Sequence, residues 1–373
     1  MATSLRAEVE RLLGEAGVRI NGPEPWDMQI HNDKLFDRVM KEGSIGLGEA
    51  YMDGWWEAGK LDEFCNRILR TELDRHFTGT LAKILKNVTS LFRNPQNSKK
   101  AYEVGERHYD AGNDLYQVML DPRMVYTCGY WNGADTLAEA QENKLDHVCR
   151  ILDLQPGDKV LDIGCGWGSF AQFAAEKYEV EVVGITISKK QAELARERCQ
   201  GLPVEIRLQD YREVDEKFDH IISLGMFEHV GPKNYRTYFQ VVDRCLDEEG
   251  IFVLHTIGAN HSNRRTDPWT EKYIFPNSRI PSIRHIGLAI EDLFVMEDWS
   301  NHGPDYDKTL MAWHQNFSEG WDRIKDQYSE RFRRMWDYYL LMAAGGFRAR
   351  KNNQWQIVLT KKGRGERVKI PAL

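Results

Sequence analysis

The segment Val160-Leu-Asp-Ile-Gly-Cys-Gly-Trp-Gly168 decides the fold of this chain of 373 residues. It contains most of a short apolar run, Lys159–Ile163, which is typical of a buried strand. Glycines at positions 164, 166 and 168 follow at once. Glycine lacks the Cβ atom that would keep a tight turn or a ligand away from the backbone. The segment therefore predicts a strand, a turn that can bind a ligand, and a helix.

The spacing of these glycines narrows the kind of ligand. The pattern is Gly-x-Gly-x-Gly rather than Gly-x-Gly-x-x-Gly, which disfavours a dinucleotide pyrophosphate, and no Gly-Lys-Ser follows that would cradle the phosphates of ATP. A strand that ends in Asp-x-Gly-x-Gly-x-Gly resembles motif I of the S-adenosylmethionine methyltransferases. This resemblance implies that the turn accommodates the methionyl part of the cofactor and that Asp162 helps to orient the site.

The segments around this motif alternate between strand and helix patterns. Four more apolar runs have the length and residue types of strands, at 180–186, 204–208, 220–224 and 251–255. Helices are predicted after Ser188 and at 234–246. Two later helices and a closing strand are predicted at 307–327, 329–344 and 355–360. The alternation is typical of an α/β protein with a doubly wound, mostly parallel sheet. The methyltransferase resemblance implies seven strands.

The beginning of the chain has a different pattern. Residues 1–98 are predicted to form a smaller helical domain and residues 99–373 the catalytic domain. Apolar side chains recur at helical spacing over 81–92, and residues 93–100 have the composition of a linker. A helix of this kind either faces a core or contacts a membrane. The domain is expected to serve lipid or membrane contact, or dimerisation.

Composition excludes several classes of protein. A net charge of −7 disfavours nucleic acid as a partner, and the six cysteines show no Cys-x-x-Cys spacing, which argues against a zinc site or a disulfide framework. No window approaches the ~18 consecutive apolar residues of a membrane span. The first residues lack the apolar core of a signal peptide. The protein is therefore expected in the cytoplasm, without a metal.

Positive charge is nevertheless concentrated in two places. Residues 348–373 contain eight Lys or Arg and one acid, and residues 80–102 contain five and no acid. Such patches are either solvated ends and loops or contacts with an anionic surface. The second interpretation predicts peripheral association with the inner face of a membrane.

Several stretches together resemble the cyclopropane synthases that act on acyl chains, including the related mycolic acid enzymes. The stretches begin at His108, Met124, Val160, Gly184, Gly225, Leu254, Trp269 and Asp305. The segment Gly46-Leu-Gly-Glu-Ala-Tyr-Met-Asp-Gly-Trp-Trp56 also resembles the phospholipid-acting members, which carry an extra N-terminal domain. The resemblance implies a synthase that acts on a phospholipid acyl chain at the membrane surface, and it leaves formation of a homodimer open.

The same resemblance implies two sets of site residues. S-adenosylmethionine is expected to contact Tyr126, Thr127, Asp162, Gly164, Gly166, Gly168, Thr186, Gln191, Asp210 and Tyr211. Thr186 stands where many methyltransferases have an acid for the ribose hydroxyls, and Tyr211 can stack on the adenine. A bicarbonate ion is expected to be held by Cys128, Glu228, His255, Ile257 through its backbone, and Tyr306.

The reaction explains why such residues are needed. An alkene is a weak nucleophile that attacks only a strong methyl electrophile, and the attack leaves a carbocation on the acyl chain. Closing a cyclopropane ring requires a base that removes a proton from the new methyl group, in a site that excludes water. Either Glu228 acts directly or, as the resemblance implies, bicarbonate takes the proton. Aromatic faces can stabilise the cation, and the candidates are Tyr126, Tyr130, Trp131, Phe227, Tyr273 and Tyr306.

Three other functions are weighed against this one. A small-molecule or N-methyltransferase would use the same cofactor fold but has no need of the bicarbonate residues. A lipid-binding protein without catalysis would not need the glycine turn. A relative that makes methyl-branched lipids would share both sites and differ only in the fate of the cation.

Overall fold

The computed structural model describes residues 2–71, 112–262 and 266–373, in two compact units. The first unit comprises Met1–Arg93, Asp267–Phe275 and Asp307–Asn352, and the second comprises Asn94–Thr266, Pro276–Tyr306 and Asn353–Leu373. The division differs from the predicted boundary at residue 98, because two later segments pack with the N-terminal helices. The predicted helix over 81–92 lies outside the described residues.

The described helices and strands are numbered here along the chain. The helices are α1 (Ala2–Glu15), α2 (Leu35–Glu42), α3 (Ser44–Met52), α4 (Leu61–Arg70), α5 (Asn113–Met119), α6 (Leu137–Leu152), α7 (Ser169–Tyr178), α8 (Lys189–Arg198), α9 (Tyr235–Cys245), α10 (Pro268–Tyr273), α11 (Ile283–Ile290), α12 (Gly303–Gly320) and α13 (Glu330–Arg348). The strands are β1 (Gln29–Ile30), β2 (Trp56–Glu57), β3 (Lys159–Ile163), β4 (Glu181–Thr186), β5 (Val204–Leu208), β6 (Phe218–Leu224), β7 (Leu246–Ala259), β8 (Phe294–Asn301) and β9 (Asn352–Lys361).

In the first unit, α13 packs against α3 and α4. Its last residue, Arg348, donates to Asp62 of α4 at 2.5 Å and to both carboxylate oxygens of Asp307 at 2.9 Å. Gly345 allows the close approach, since a Cβ there would lie 2.5 Å from the carbonyl oxygen of Asp62. A half-buried, hydrogen-bonded ion pair of this kind fixes one arrangement of the helices. This contact explains why a late segment belongs with the N-terminal helices.

The second unit contains a seven-stranded sheet in the order β5-β4-β3-β6-β7-β9-β8. Strands β5, β4, β3, β6 and β7 pair in parallel, and β8 pairs with β9 antiparallel. The predicted mostly parallel, doubly wound sheet is confirmed. Aromatic side chains of α9, Tyr238 and Phe239, are fully buried with sheet residues such as Leu161 and Phe252.

Several element boundaries differ from the sequence predictions. The edge strand β8 is missing from them, because its side chains are mostly part-exposed and form no apolar run. The predicted helix over 307–327 begins earlier, at Gly303, and ends at Gly320 before a 3₁₀ turn, Trp321–Arg323. The last helix extends to Arg348 rather than 344. Among the residues that the structure describes, no helix is both long and apolar enough to span a membrane.

Two glycines, one at the contact between β7 and β9 and one in α11, allow a test of the packing between these strands. Gly258 lies against the Trp355 ring, and an added Cβ would overlap that ring, whereas a Cβ at Gly287 of α11 would meet no atom within 4 Å. Gly258→Ala should therefore lower the free energy of unfolding by about 1–3 kcal/mol through overpacking. Gly287→Ala should raise it by up to about 1 kcal/mol through helix propensity. Urea unfolding followed by circular dichroism measures both, and equal midpoints for the two variants would contradict this account.

Candidate active site

The glycine turn after β3 is held against the end of β4. The amide groups of Gly164 and Cys165 both donate to the carbonyl oxygen of Ile185, at 2.9 and 3.0 Å. All three motif glycines have positive φ angles, of 86°, 55° and 78° in chain order. A Cβ at Gly164 would lie 2.6 Å from the side chain of Met226, but a Cβ at Gly166 would meet no atom within 4 Å. The backbone at Gly166 therefore borders open space that a ligand can approach.

A buried acid and a buried lysine lie behind this turn. Asp162 is 2% exposed, and burial raises its pKa to about 7, against the opposing effect of Lys144. Lys144 of α6 is fully buried, and burial lowers the pKa of its ammonium group to about 8. Its Nζ donates to Thr127 Oγ1 at 2.9 Å. The predicted cofactor residues Asp162 and Thr127 are thus linked through a lysine that the sequence analysis did not identify.

Thr127 is held from two further directions. Its carbonyl oxygen accepts from Gln141 Nε2 at 2.8 Å. Its methyl group faces Gly225 at the end of β6, where an added Cβ would come within 2.6 Å. Its neighbour Tyr126 makes an edge contact with Tyr116, with ring centroids 5.1 Å apart. The 126–127 segment is therefore fixed beside the carboxyl ends of the parallel strands.

The remaining predicted cofactor residues form two local groups. Thr186 Oγ1 donates to Gln191 Oε1 at 3.0 Å and accepts from the Ser188 amide at 3.2 Å. The Asp210 carboxylate accepts from the Arg212 amide at 3.0 Å and pairs with its guanidinium at 2.8 Å. That guanidinium lies 4.7 Å from the centre of the Tyr211 ring. Arg212 therefore occupies part of the hydrogen-bonding capacity of Asp210 that the prediction reserved for a ligand.

Glu228 follows β6, within a short 3₁₀ turn. Its Oε1 accepts from the backbone amide of Ile257 at 2.6 Å. Its Oε2 is buried and makes no hydrogen bond in the described structure. Burial raises the pKa of this carboxyl to about 7, although the Ile257 amide acts in the opposite direction. The backbone amide of Ile257 is therefore bonded to Glu228 and holds this carboxyl group in place.

His255 lies on β7 beside the end of β6. Its carbonyl oxygen accepts from the Gly225 amide at 3.0 Å. Its Nε2 is 3.0 Å from Gln356 Oε1 and 3.2 Å from the Tyr130 hydroxyl. Its Nδ1 is buried and without a hydrogen-bond partner among the described atoms. Complete burial, reinforced by the charge of Lys144, holds the pKa of His255 well below its ordinary value.

Cys128 and Tyr306 meet at one backbone group. The fully buried thiol of Cys128 lies 3.7 Å from the carbonyl oxygen of His302, and the amide of Tyr306 donates to the same oxygen at 3.2 Å. The His302 ring stacks on Tyr130, with centroids 4.1 Å apart and planes 18° apart. Since Tyr130 also contacts His255, the predicted residues Cys128, Tyr306 and His255 belong to one connected cluster.

Some of the aromatic candidates for cation stabilisation have other partners. The Tyr130 ring stacks between His302 and His255. Phe227 is fully buried and stacks on Tyr235 with centroids 4.4 Å apart, so it is part of the core. Tyr273 belongs to the first unit, where its hydroxyl donates to Glu49 at 2.7 Å.

The structure adds residues that the sequence analysis missed. Gln356 of β9 bonds to Tyr130 and His255, and its Nε2 is 3.4 Å from His147 Nε2. A signal was available for Lys144, which occupies a position on the apolar stripe of α6, but not for Gln356, because β9 contains several other polar residues. No spacing rule could connect these positions with His255.

Glu228 Oε2 and His255 Nδ1 are both buried without a hydrogen-bond partner among the described residues, and so is Nδ1 of His147, which contacts Gln356. Buried polar atoms nearly always have a hydrogen-bond partner, and leaving one without costs about 1–3 kcal/mol. The cluster is therefore suited to a small polar ligand. Met226, two residues before Glu228, contacts the glycine turn at Gly164, which joins this cluster to the predicted cofactor region.

Comparison with known proteins agrees with this arrangement. The family model described as mycolic acid cyclopropane synthetase matches residues 96–357. The cyclopropane-fatty-acyl-phospholipid synthase of Escherichia coli (strain K12) is 53% identical over 350 residues, covering 94% of this chain and 92% of the relative. The tuberculostearic acid methyltransferase UfaA1 of Mycobacterium tuberculosis is 32% identical and covers 91% of this chain and 84% of the relative.

Solved structures give the same result for the fold. The cyclopropane synthase MmaA2 from Mycobacterium tuberculosis superposes with a TM-score of 0.66 at 29% identity, over 70% of this chain and 98% of that one. The mycolic acid cyclopropane synthase CmaA1, solved with SAH and CTAB, superposes with a TM-score of 0.65 at 32% identity over the same shares. This chain therefore belongs to the mycolic acid cyclopropane synthetase family and is an S-adenosylmethionine-dependent methyltransferase.

Proposed function

We propose that this enzyme transfers the methyl carbon of S-adenosylmethionine to the cis double bond of an unsaturated acyl chain in a membrane phospholipid and closes a cyclopropane ring. The observation that carries the proposal is that two predicted residues, Glu228 just after β6 and His255 opposite the last residue of β6, each have a buried side-chain atom without a hydrogen-bond partner among the described residues. Simple methyl transfer to nitrogen has no need of such a pair. The name of the Escherichia coli relative, which is 53% identical, supports the substrate class.

The residues around the glycine turn fit S-adenosylmethionine, which supplies an electrophilic methyl group. The open space at Gly166 leaves room for close approach of a ligand to the backbone. The pKa of the Asp162 carboxyl is about 7, so this group is about half ionised at pH 7. A nearby cation would favour its charged form. Tyr126, Thr127, Thr186, Gln191, Asp210 and Tyr211 are proposed to hold the rest of the cofactor.

The second cluster fits bicarbonate as the proton acceptor. Bicarbonate is proposed to bond to both Glu228 Oε2 and His255 Nδ1, which are buried without a partner among the described residues, and Cys128 and Tyr306 are proposed to complete its site. Burial of this cluster keeps out water, which would otherwise trap the carbocation as an alcohol. The competing mechanism, in which Glu228 itself takes the proton, uses the same carboxyl without an ion.

The first unit is proposed to bring the enzyme to its membrane substrate, or to form a homodimer. The Escherichia coli relative is matched over 94% of this chain, whereas CmaA1 is matched over 70%. The extra matched length supports a role of the N-terminal part, with its predicted boundary near residue 98, in phospholipid substrates. The basic tail is proposed to contribute, although Arg348, Lys361 and Lys362 already pair with acidic side chains.

A matched glycine pair tests the reaction and its cofactor together. Gly166→Val should lower the affinity for S-adenosylmethionine by at least about tenfold, or ~1.4 kcal/mol, because the side chain fills the open approach to the backbone. Cells that express it should lack the acyl chains, one methylene heavier, that wild-type cells accumulate. Gly157→Val is the control, since Gly157 also has a positive φ and open space but precedes β3 at its opposite end.

Calorimetry and lipid mass spectrometry measure these outcomes. Unchanged cofactor affinity in a folded Gly166→Val protein would contradict the cofactor site. Chemical derivatisation of the lipids distinguishes a ring from the methyl-branched alkene of the alternative function, which the similarity to UfaA1 keeps under consideration. A branched alkene as the main product would reject ring closure.

The second prediction concerns the base. Glu228→Ala should lower turnover by ~10²–10⁴-fold, the usual contribution of a positioned base, with little change in cofactor affinity. Wild-type enzyme should slow in carbonate-free buffer after dialysis and recover when bicarbonate is added. Glu181→Ala, an exposed carboxylate at the start of β4, should behave as wild type. A wild-type rate that ignores bicarbonate over a wide range would favour direct proton transfer to Glu228.

The third prediction concerns the membrane. Binding to vesicles should be stronger on anionic than on zwitterionic lipid and should weaken with salt, as for a basic surface. Arg367→Glu and Lys369→Glu, two exposed tail positions, should each cost about 1 kcal/mol or more of binding free energy. The matched reversal Lys177→Glu, exposed on α7, should have little effect. Sedimentation with vesicles that shows no dependence on lipid charge would count against the basic tail.

A further inference from the structure

Gln356 is one of several buried polar side chains on β9. It is 1% exposed on β9, where its neighbours Trp355 and Ile357 are also buried. Burying an amide is unfavourable unless its hydrogen bonds are made, so its partners indicate what it does. Those partners are Tyr130, His255 and His147, and none of them is a backbone group.

The partners of Gln356 Oε1 determine where the proton of His255 lies. A carbonyl oxygen only accepts, and Oε1 accepts from the Tyr130 hydroxyl at 2.9 Å and from His255 Nε2 at 3.0 Å. His255 must therefore carry a proton on Nε2. Because its complete burial disfavours the charged imidazolium, the ring is neutral and has no second proton. Its Nδ1 is consequently an acceptor, and it is the atom without a partner.

The other end of the amide contacts a second histidine. Gln356 Nε2 points to His147 Nε2, 3.4 Å away, which can accept from it. Turning the amide over would require the opposite tautomers, with His255 Nε2 as the acceptor and His147 Nε2 as the donor. The Tyr130 ring is in turn clamped by the stacked ring of His302. In the orientation that the structure has, each of these contacts has a donor and an acceptor when His255 is protonated on Nε2 and His147 is not.

We propose that Gln356 is a positioning residue that holds His255 as its Nε2–H tautomer, so that Nδ1 accepts the hydroxyl proton of the bound bicarbonate. This inference rests on the bicarbonate site proposed above and specifies how the ion is oriented in it. With its single proton directed to His255, the ion turns its unprotonated oxygens toward the remaining partners. Glu228 Oε2 must then be the donor, which requires the neutral carboxyl.

This orientation leaves the basic oxygens free for the reaction. One of them takes a proton from the methyl group that has been added to the acyl chain. The electron pair of that C–H bond forms the last C–C bond of the ring and neutralises the carbocation. The bicarbonate ion becomes carbonic acid, so charge and atoms balance without any further reactant. Reversing the ion would point its hydroxyl at the substrate and leave His255 Nδ1 facing a second acceptor.

The experiment compares Gln356→Met with wild type. Methionine keeps the volume and removes both amide groups, so His255 should lose its fixed tautomer and the concentration of bicarbonate for half-maximal rate should rise by about 10–100-fold, as when the supporting partner of a histidine ligand is removed. The affinity for S-adenosylmethionine should stay unchanged. Nitrogen-15 spectra of histidine-labelled enzyme, with His255 assigned by its loss in His255→Gln, read the protonation of each ring nitrogen.

Two control variants separate this role from a structural one. Tyr130→Phe removes the other donor to Gln356 Oε1 but leaves the bond to His255, and should keep the Nε2–H tautomer. Asn353→Leu, at a buried amide on the same strand that bonds Gly258 and Asn260, should lower stability without changing the bicarbonate requirement.

The inference is overturned if wild-type His255 carries its proton on Nδ1, a measurement that requires no variant. It is also overturned if Gln356→Met folds and keeps both the tautomer and the bicarbonate requirement of wild type. Wild-type rates independent of bicarbonate would instead reject the proposed base, and the tautomer, measured without bicarbonate, would still decide the role of Gln356.

Discussion

Exclusion of water from the carboxyl ends of the parallel strands is the constraint on which the rest of this structure depends. The carbocation that we propose as an intermediate requires a site that water cannot reach, and absence of water makes every unpaired polar group there unfavourable. Asp162 and Glu228 lie near or just beyond the ends of β3 and β6, His255 lies on β7 opposite the last residue of β6, and all three are buried. Glu228 Oε1 and His255 Nε2 have hydrogen-bond partners in the protein, and Glu228 Oε2 and His255 Nδ1 have none among the described residues.

Burial also sets the charges of the site. It raises the pKa of Asp162 and of Glu228 to about 7, and it lowers the pKa of Lys144 to about 8 and that of His255 further below its ordinary value. All four shifts favour the neutral form. With pKa values of about 7, Asp162 and Glu228 are each about half ionised at pH 7, so their charge can adjust to a bound ligand, whereas Lys144 with a pKa of about 8 stays mostly protonated.

The two units show why a single domain boundary in the sequence cannot divide this chain correctly: each unit is built from three separate segments. The sequence indicates a helical N-terminal domain, and the helices α1 to α4 are there. Yet α13, which follows most of the sheet in the chain, packs on α4 through Arg348, Asp62 and the close approach at Gly345. Arg348 was counted only as part of a basic tail, and its two carboxylate partners lie 286 and 41 residues away in sequence.

The sequence by itself determined the parallel sheet, the glycine turn and the family, because apolar periodicity and positive-φ glycines are local properties. It also placed Glu228 and His255 at strand ends, and the register of β6 with β7 brings those ends together. It did not predict the edge strand β8, whose part-exposed side chains leave no periodic signal. Only the tertiary structure decided that Lys144 supports Thr127 and that Gln356 supports His255, 101 residues earlier in the chain. The physical reason is that hydrogen bonding of a buried group depends on which partner packing brings within about 3 Å, and no local pattern records that distance.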